Sequence, residues 1–368
     1  MSTKSLALTL VRPGTMELRQ VFQDERLRPG ELLVQVEYSS VQPLDGEMFN
    51  CSGMFADLQL PHVMGVEGVG VVLKSASDHV PEGARIAFLL RKFFNDDRHG
   101  TWQKRLVLDE KRAMILQVPP VVGLNQIAAC TTSTAGGSRT TRSVEVAALA
   151  FLKPFAPQSQ IIVSGACGAV GLAAMQLGAL MGHKMVAFVR GPERASWLAK
   201  ELADCGKVAV VDTAAEEWVR LASLLCSGES VAVGDHLEEA EHVCGGADGM
   251  VDGLGGEVLT LSAQYLLRVR ATLVRFGGEE LPSLEEPVQR LRLKVLRESV
   301  ESFMTTSDAK ERVEAAFAWI GDARYRPKAW HVASWSEAAE CMKDQPTWTR
   351  FATQVKPGRI GRIILKFD

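Results

Sequence analysis

Gln160-Ile161-Ile162-Val163-Ser164-Gly165-Ala166-Cys167-Gly168-Ala169-Val170-Gly171-Leu172-Ala173-Ala174-Met175-Gln176-Leu177 is the stretch that decides the fold. A β-branched run meets a glycine cluster, and the cluster opens into an apolar, alanine-rich helix. Strand, tight turn and helix, in that order, make a site for a dinucleotide pyrophosphate. Gly168 lacks a Cβ, so the backbone can approach a phosphate closely. The free N–H groups and the positive end of the helix dipole then face that phosphate, and Gly171 lets the helix pack tightly on the strand. The fingerprint G-x-G-x-x-G falls on Ala166–Gly171, with Ala166 in the first glycine place. Gly165, Gly168, Ala169, Val170 and Gly171 are the candidate cofactor-binding residues. The competing reading is a glycine turn between two packed elements with no ligand.

Around this stretch the period of the sequence is that of alternating strands and helices. Ile161–Ser164, helix 169–181, Met185–Val189, helix 193–204, Val208–Asp212, Gly249–Gly253, helix 257–268 and Ala271–Phe276 follow one another. Such alternation specifies βαβ units and a parallel sheet. A long, insert-like stretch at 214–244 interrupts it. A further helix at 309–320 is bounded by Asp308, with Glu311 three residues on, and by Gly321. Residues 1–130 read differently. Leu6–Val11, Leu32–Val36, Val69–Leu73, Arg85–Leu90 and Trp102–Leu108 are short strands with turn signals such as Pro81-Glu82-Gly83, which indicates a small barrel-like unit. After Pro327 the chain returns to β character and ends in Ile360–Phe367, a tail expected to rejoin the N-terminal unit.

Composition sets limits on function. At 368 residues, two domains are expected. The formal net charge of −3 implies no general attraction to nucleic acid or to acidic membranes. No apolar run is long enough to span a bilayer, and the start of the chain does not read as a signal peptide, so a cytoplasmic protein is expected. The seven cysteines (51, 130, 167, 205, 226, 244 and 341) form no C-x-x-C pair, and reduced, mostly buried thiols are expected.

With these pieces placed, the chain resembles the medium-chain dehydrogenase/reductase superfamily, and within it the zinc-independent quinone oxidoreductase branch. Four motifs carry the resemblance: Pro61-His62-Val63-Met64-Gly65-Val66-Glu67-Gly68-Val69-Gly70-Val71-Val72; the nucleotide turn Gly165–Gly171; Gly249-Met250-Val251-Asp252-Gly253-Leu254-Gly255-Gly256; and Gly358-Arg359-Ile360-Gly361-Arg362-Ile363-Ile364-Leu365. They lie in the family's order over nearly the full length. The sequence departs at Ala169, which replaces a usual glycine, and at 131–143 and 214–244. The resemblance implies an α/β fold: a Rossmann doubly wound parallel sheet over 131–324, and a GroES-like, β-rich partial barrel over 1–130 and 325–368. It also implies Leu254, Phe276 and Gly277 at strand ends around the cofactor, with a Ser or Thr near 133–134.

Zinc-dependent relatives place a cysteine where this chain has Gln42 and a histidine where it has Val66, and neither is a ligand of the usual kind. Stretch 91–105, which matches the structural-zinc lobe, contains no cysteine. No metal is expected. An acidic residue at the end of the second strand is the usual mark of NAD specificity, but here the strand ends in Arg190-Gly191-Pro192-Glu193-Arg194. Arg190 and Arg194 suit a 2′-phosphate, so NADPH is the expected cofactor. The alternative is that both are solvated surface charges.

Hydride transfer without a metal suits quinones and α,β-unsaturated carbonyls. Gln42 is the candidate donor to the substrate carbonyl, or else it caps the turn at Pro43. Phe49, Met54 and Phe55 form an apolar wall for a flat substrate, or else belong to the core. Two other readings remain open. One is an enoyl-thioester (enoyl-CoA) reductase using the basic run Arg290, Arg292, Lys294 and Arg297. The other is a non-catalytic NADPH-binding scaffold or RNA-binding protein. A small-molecule substrate and a homodimer formed by edge-strand pairing are expected.

Overall fold

A long antiparallel hairpin starts the chain, β1 (Ser2–Arg12) against β2 (Thr15–Asp24), and β4 (His62–Val63) pairs with β1 on its other side. The computed structural model describes residues 2–41, 43–90, 100–130, 144–227, 246–276, 284–296, 307, 309–327, 329–341 and 362–367. Contacts divide the chain into two units, Met1–Ser143 with Arg326–Asp368, and Val144–Tyr325.

In the first unit β3 (Glu31–Val41) is central. One side pairs with β5 (Glu67–Ser75). The other is shared, with β7 (Arg105–Asp109) along Glu31–Gln35 and the C-terminal strand along Tyr38–Val41. β6 (Arg85–Leu90) and β8 (Ala113–Gln117) extend the sheet beyond β5, and α1 (Pro43–Phe49) and α2 (Leu124–Cys130) complete this part. β3 is buried almost continuously, as befits a strand covered on both faces. Its core includes Leu8, Leu10, Val34, Phe49, Phe55 and Trp102.

The second unit starts with α3 (Val144–Leu152). There follow β9 (Gln160–Ser164), α4 (Ala169–Leu180), β10 (Lys184–Val189), α5 (Pro192–Glu201), β11 (Val208–Asp212) and α6 (Trp218–Ser227). After the undescribed residues 228–245 come β12 (Ala247–Asp252), α7 (Gly256–Tyr265), β13 (Leu267–Arg275), α8 (Glu285–Leu291) and β14 (Lys294–Leu296). The six strands are parallel in the order β11-β10-β9-β12-β13-β14. Successive strands therefore run outward one way from β9 and then the other way from β12. The crevice between the carboxyl ends of β9 and β12 is the topological switch point of a Rossmann sheet. α4 is buried continuously from Gly171 to Gly178, as its all-round apolar sequence requires. The helix Ala309–Gly321 closes this unit.

The chain then returns to the first unit through β15 (Ala329–Ser334) and β16 (Arg362–Lys366). β15 runs parallel to β16, and β16 pairs antiparallel with β3, so the tail joins the sheet of the N-terminal unit. The expected helix 257–268 is shorter: α7 ends at Tyr265 and β13 already begins at Leu267. Leu266 and Leu267 extend the apolar period past the helix end, and Arg270, with φ +64°, takes up the turn into the regular strand. Among the described residues no helix is long and apolar enough to cross a membrane.

Candidate functional site

The site is built where β9 and β12 end. Ser164 is the last residue of β9, and from Gly165 the chain turns; Gly168 donates its N–H to Gly165 O at 2.8 Å and precedes the first helical residue, Ala169. A Cβ on residue 171 would stand 2.3 Å from Gly165 O and 2.8 Å from Ala166 Cα, so only glycine lets α4 start this close to the strand. Gly168 is exposed, and Cys167, Ala169 and Val170 are half-buried. The first turn of α4 is therefore open to solvent, and a helix cannot satisfy its own first N–H groups. An exposed glycine ahead of these donors fits a diphosphate.

A buried polar hub ties the turn to the next strand. Ser164 donates its hydroxyl to Asp252 Oδ1 at 2.6 Å, and Ser164 Oγ accepts the Gly253 N–H at 3.1 Å. Asp252 also accepts the N–H groups of Leu254 (3.3 Å) and Gly255 (3.1 and 3.2 Å), and its main-chain carbonyl accepts the Phe276 N–H at 3.0 Å. Arg275 Nε lies 3.7 Å from Asp252 Oδ2, with both side chains buried. The ends of β9, β12 and β13 thus converge on one carboxylate. Leu254 is 56% exposed and lies against Gly165, while Phe276 stacks on Phe151 with centroids 4.7 Å apart. Gly277 and residues 131–143 lie outside the described residues.

At the tip of β10, Arg190 is exposed and Arg194 half-buried. Burial pushes the Cys167 thiol up to about 11, and the Arg194 guanidinium pulls it the other way. The neighbouring strand supplies an acid missed in the sequence: Asp212 Oδ1 accepts the N–H of Gly191 (2.6 Å) and of Ala214 (2.9 Å). Asp252 stands in a quoted motif, which was the signal available for it. Nothing in the spacing points to Asp212.

In the first unit, Val66 is buried and apolar, and the next residue, Glu67, accepts the Ser40 hydroxyl at 3.1 Å through Oε1. Among the described residues no group of three His, Cys, Asp or Glu side chains is placed to hold a metal ion. Gln42 lies outside the described residues. Phe49 and Phe55 have no exposed surface and are part of the core. Among the cysteines with described side chains, none is in a disulfide; Cys226 is buried, whereas Cys51, Cys167 and Cys205 are half-buried. The basic run falls at the other end of the second unit. Arg290 and Arg292 precede β14, and Lys294 starts it beside Thr272, which places these three at the amino edge of the parallel sheet, opposite the glycine turn; Arg297 lies outside the described residues.

Residues 28–119 match the alcohol dehydrogenase GroES-like domain. A comparison with curated proteins finds no match. Among solved structures, a quinone oxidoreductase from Pseudomonas syringae pv. Tomato DC3000 aligns with a TM-score of 0.69 at 18% identity, covering 98% of this chain and 99% of that one. An NAD-dependent alcohol dehydrogenase gives 0.71 at 17% identity, covering 98% and 99%. A mycobacterial protein complexed with NADPH gives 0.67 at 20%, again covering 98% and 99%. The chain has the medium-chain dehydrogenase/reductase fold. Within that fold the second unit is the Rossmann part and the first the GroES-like part. One of these proteins is NAD-dependent by name and another was solved with NADPH.

Proposed function

We propose that this chain is an NADPH-dependent oxidoreductase that reduces a quinone or another α,β-unsaturated carbonyl without zinc. The observation that carries the proposal is the solvent-open glycine turn at the switch point, with Arg190 exposed at the tip of the next strand. When bound, a reduced nicotinamide supplies the hydride. The protein supplies binding, orientation and charge. The first-turn N–H groups of α4 hold the diphosphate, and Leu254 and Phe276 line its approach. Arg190 and Arg194 hold the 2′-phosphate. The residue at the β10 tip offers no acceptor to a ribose diol, and Asp212 Oδ1 is already engaged by two backbone N–H groups. Gln42 is the assigned donor to the substrate carbonyl, where negative charge develops during hydride addition.

The zinc-free part of the proposal rests on residue types. An amide at 42 and an isopropyl group at 66 stand where the zinc enzymes have their ligands, and an isopropyl group has no lone pair to give. The acceptor must then be reducible without a Lewis acid, which favours conjugated carbonyls over simple ketones. Arg290, Arg292 and Lys294 sit at the edge of the sheet away from the turn, which favours the quinone or enone reading over the enoyl-thioester one. For the homodimer, β14 pairs with β13 and with no other described strand, and Lys294 and Val295 are exposed.

Fluorescence titration with NADPH and NADH, followed by a panel of quinones, enals, enones and enoyl-CoA thioesters, tests the reading. The expected outcome is tighter NADPH binding and NADPH consumption with quinones or enones. No binding of either coenzyme, or stoichiometric zinc in the purified protein, overturns it.

A further inference from the structure

We infer that Asp212 is a positioning residue that sets the preference for NADPH over NADH, an inference that rests on the 2′-phosphate reading above. The residue ends β11 directly opposite Val189, the last residue of β10. Thr213 locks this pairing, since both its N–H (2.8 Å) and its hydroxyl (3.1 Å) donate to Val189 O. From that fixed point the Asp212 carboxylate reaches across to Gly191, whose N–H it accepts at 2.6 Å.

Gly191 is the joint between the two arginines. Arg190 precedes it, and Arg194 lies in the first turn of α5. Its backbone, with φ +102° and ψ 143°, is open to glycine and strained for any other residue. A glycine peptide is also the one least held by its own sterics. Here both of its polar groups are committed: the carbonyl accepts the Ala195 N–H at 3.1 Å as the first bond of α5, and the N–H goes to Asp212. The next residue, Pro192, has no N–H to offer as a substitute anchor. The direction in which α5 leaves β10, and with it the spacing of the two guanidinium groups, therefore depends on one side-chain acceptor from the neighbouring strand. A hydrogen bond to an ionised carboxylate is of the strong kind.

The test compares Asp212→Ala with Asp212→Asn in the full-length protein, reading the dissociation constants of NADPH and NADH by fluorescence titration and the fold by thermal melting. Asn retains an acceptor oxygen at the same reach. The expected result is that Asp212→Ala lowers the NADPH-over-NADH preference by about tenfold or more, mainly through weaker NADPH binding, while Asp212→Asn stays near wild type. Should Asp212→Ala fail to fold, Asp212→Glu takes its place, because a longer side chain displaces the acceptor while keeping the charge; a lost preference is expected there too. An unchanged preference, an equal loss for both coenzymes, or a larger loss for NADH overturns the inference while leaving NADPH binding itself intact. A wild-type protein without any NADPH preference overturns the 2′-phosphate reading as well, and the wild-type titration alone identifies that case.

Discussion

Ser164 and Asp252 meet at 2.6 Å across the two central strands of the parallel sheet, and both side chains are fully buried. The hydroxyl is donor to Asp252 and acceptor from Gly253, so it closes the turn after β9 onto the turn after β12. Ser164→Ala removes a donor from a buried carboxylate and an acceptor from a backbone N–H. A loss of about 1–3 kcal/mol is expected, read as a shift in denaturant midpoint. Asp252→Ala is expected to cost more, because it also strips the acceptor from Leu254 and Gly255 and the counter-charge from Arg275. Equal stability of Ser164→Ala and wild type would show that the hub does not hold the strand ends together.

Gly171→Ala tests the closeness of helix and turn. The added methyl meets main-chain atoms of Gly165 and Ala166, not the end of a flexible side chain. The variant is expected to lose about 1–3 kcal/mol through overpacking and to bind either coenzyme at least tenfold more weakly, as measured by melting and by titration.

Arg190→Ala and Arg194→Ala bear on the coenzyme. Each is expected to weaken NADPH by about tenfold or more through loss of a charge-assisted contact, with NADH little changed. The Arg194 change also removes the positive charge beside Cys167, so the thiol is expected to alkylate more slowly in that variant at alkaline pH. Equal weakening of both coenzymes would contradict a 2′-phosphate contact.

Phe55→Ala separates core from cleft in the first unit. The ring has no exposed surface, so a stability loss of about 3–5 kcal/mol is expected. A stable variant with a raised KM for substrate would instead return this ring to the substrate wall.

His183 supplies the pH dependence. It is buried at the amino edge of the parallel sheet, and its Nδ1 has no hydrogen-bond partner among the described residues. Burial lowers its pKa below the ordinary 6.5, against the opposing pull of Asp248 and of a hydrogen bond with Ser159. A base with a lowered folded-state pKa binds more protons unfolded than folded. Its contribution is therefore intact above 6.5 and is lost as the pH falls below that value. Denaturation measured from pH 7.5 down to pH 5 should show wild type losing stability faster than His183→Gln. Parallel curves would remove His183 as the cause.

The alternation of strands and helices and the glycine turn were legible because they rest on short-range signals. A β-branched run, a residue that cannot tolerate a Cβ and an apolar helix sit next to one another in the chain. The polar devices were less visible. Asp212 and Gly191 lie far apart in sequence, and an Asp ending a strand is unremarkable until the register of β10 and β11 brings it opposite Val189. β2 was missed because Gln20 and Val21 break the alternation that Met16, Glu17, Leu18 and Arg19 begin. The helix expected to run to 268 overran because periodicity alone cannot place the end of an apolar run. Phe49 and Phe55 show the limit most plainly, since an aromatic residue reads the same in a wall as in a core.

The pairing of β16 with β3 carries a consequence for biosynthesis. Tyr38–Val41 leave the ribosome long before their partners Ile363–Lys366 are made. The nucleotide-binding half, Val144–Tyr325, is continuous and can settle while synthesis proceeds. The β-rich half must keep an unfinished sheet edge in waiting throughout, and it is there that a nascent chain of this design is most exposed to mispairing and most in need of a chaperone.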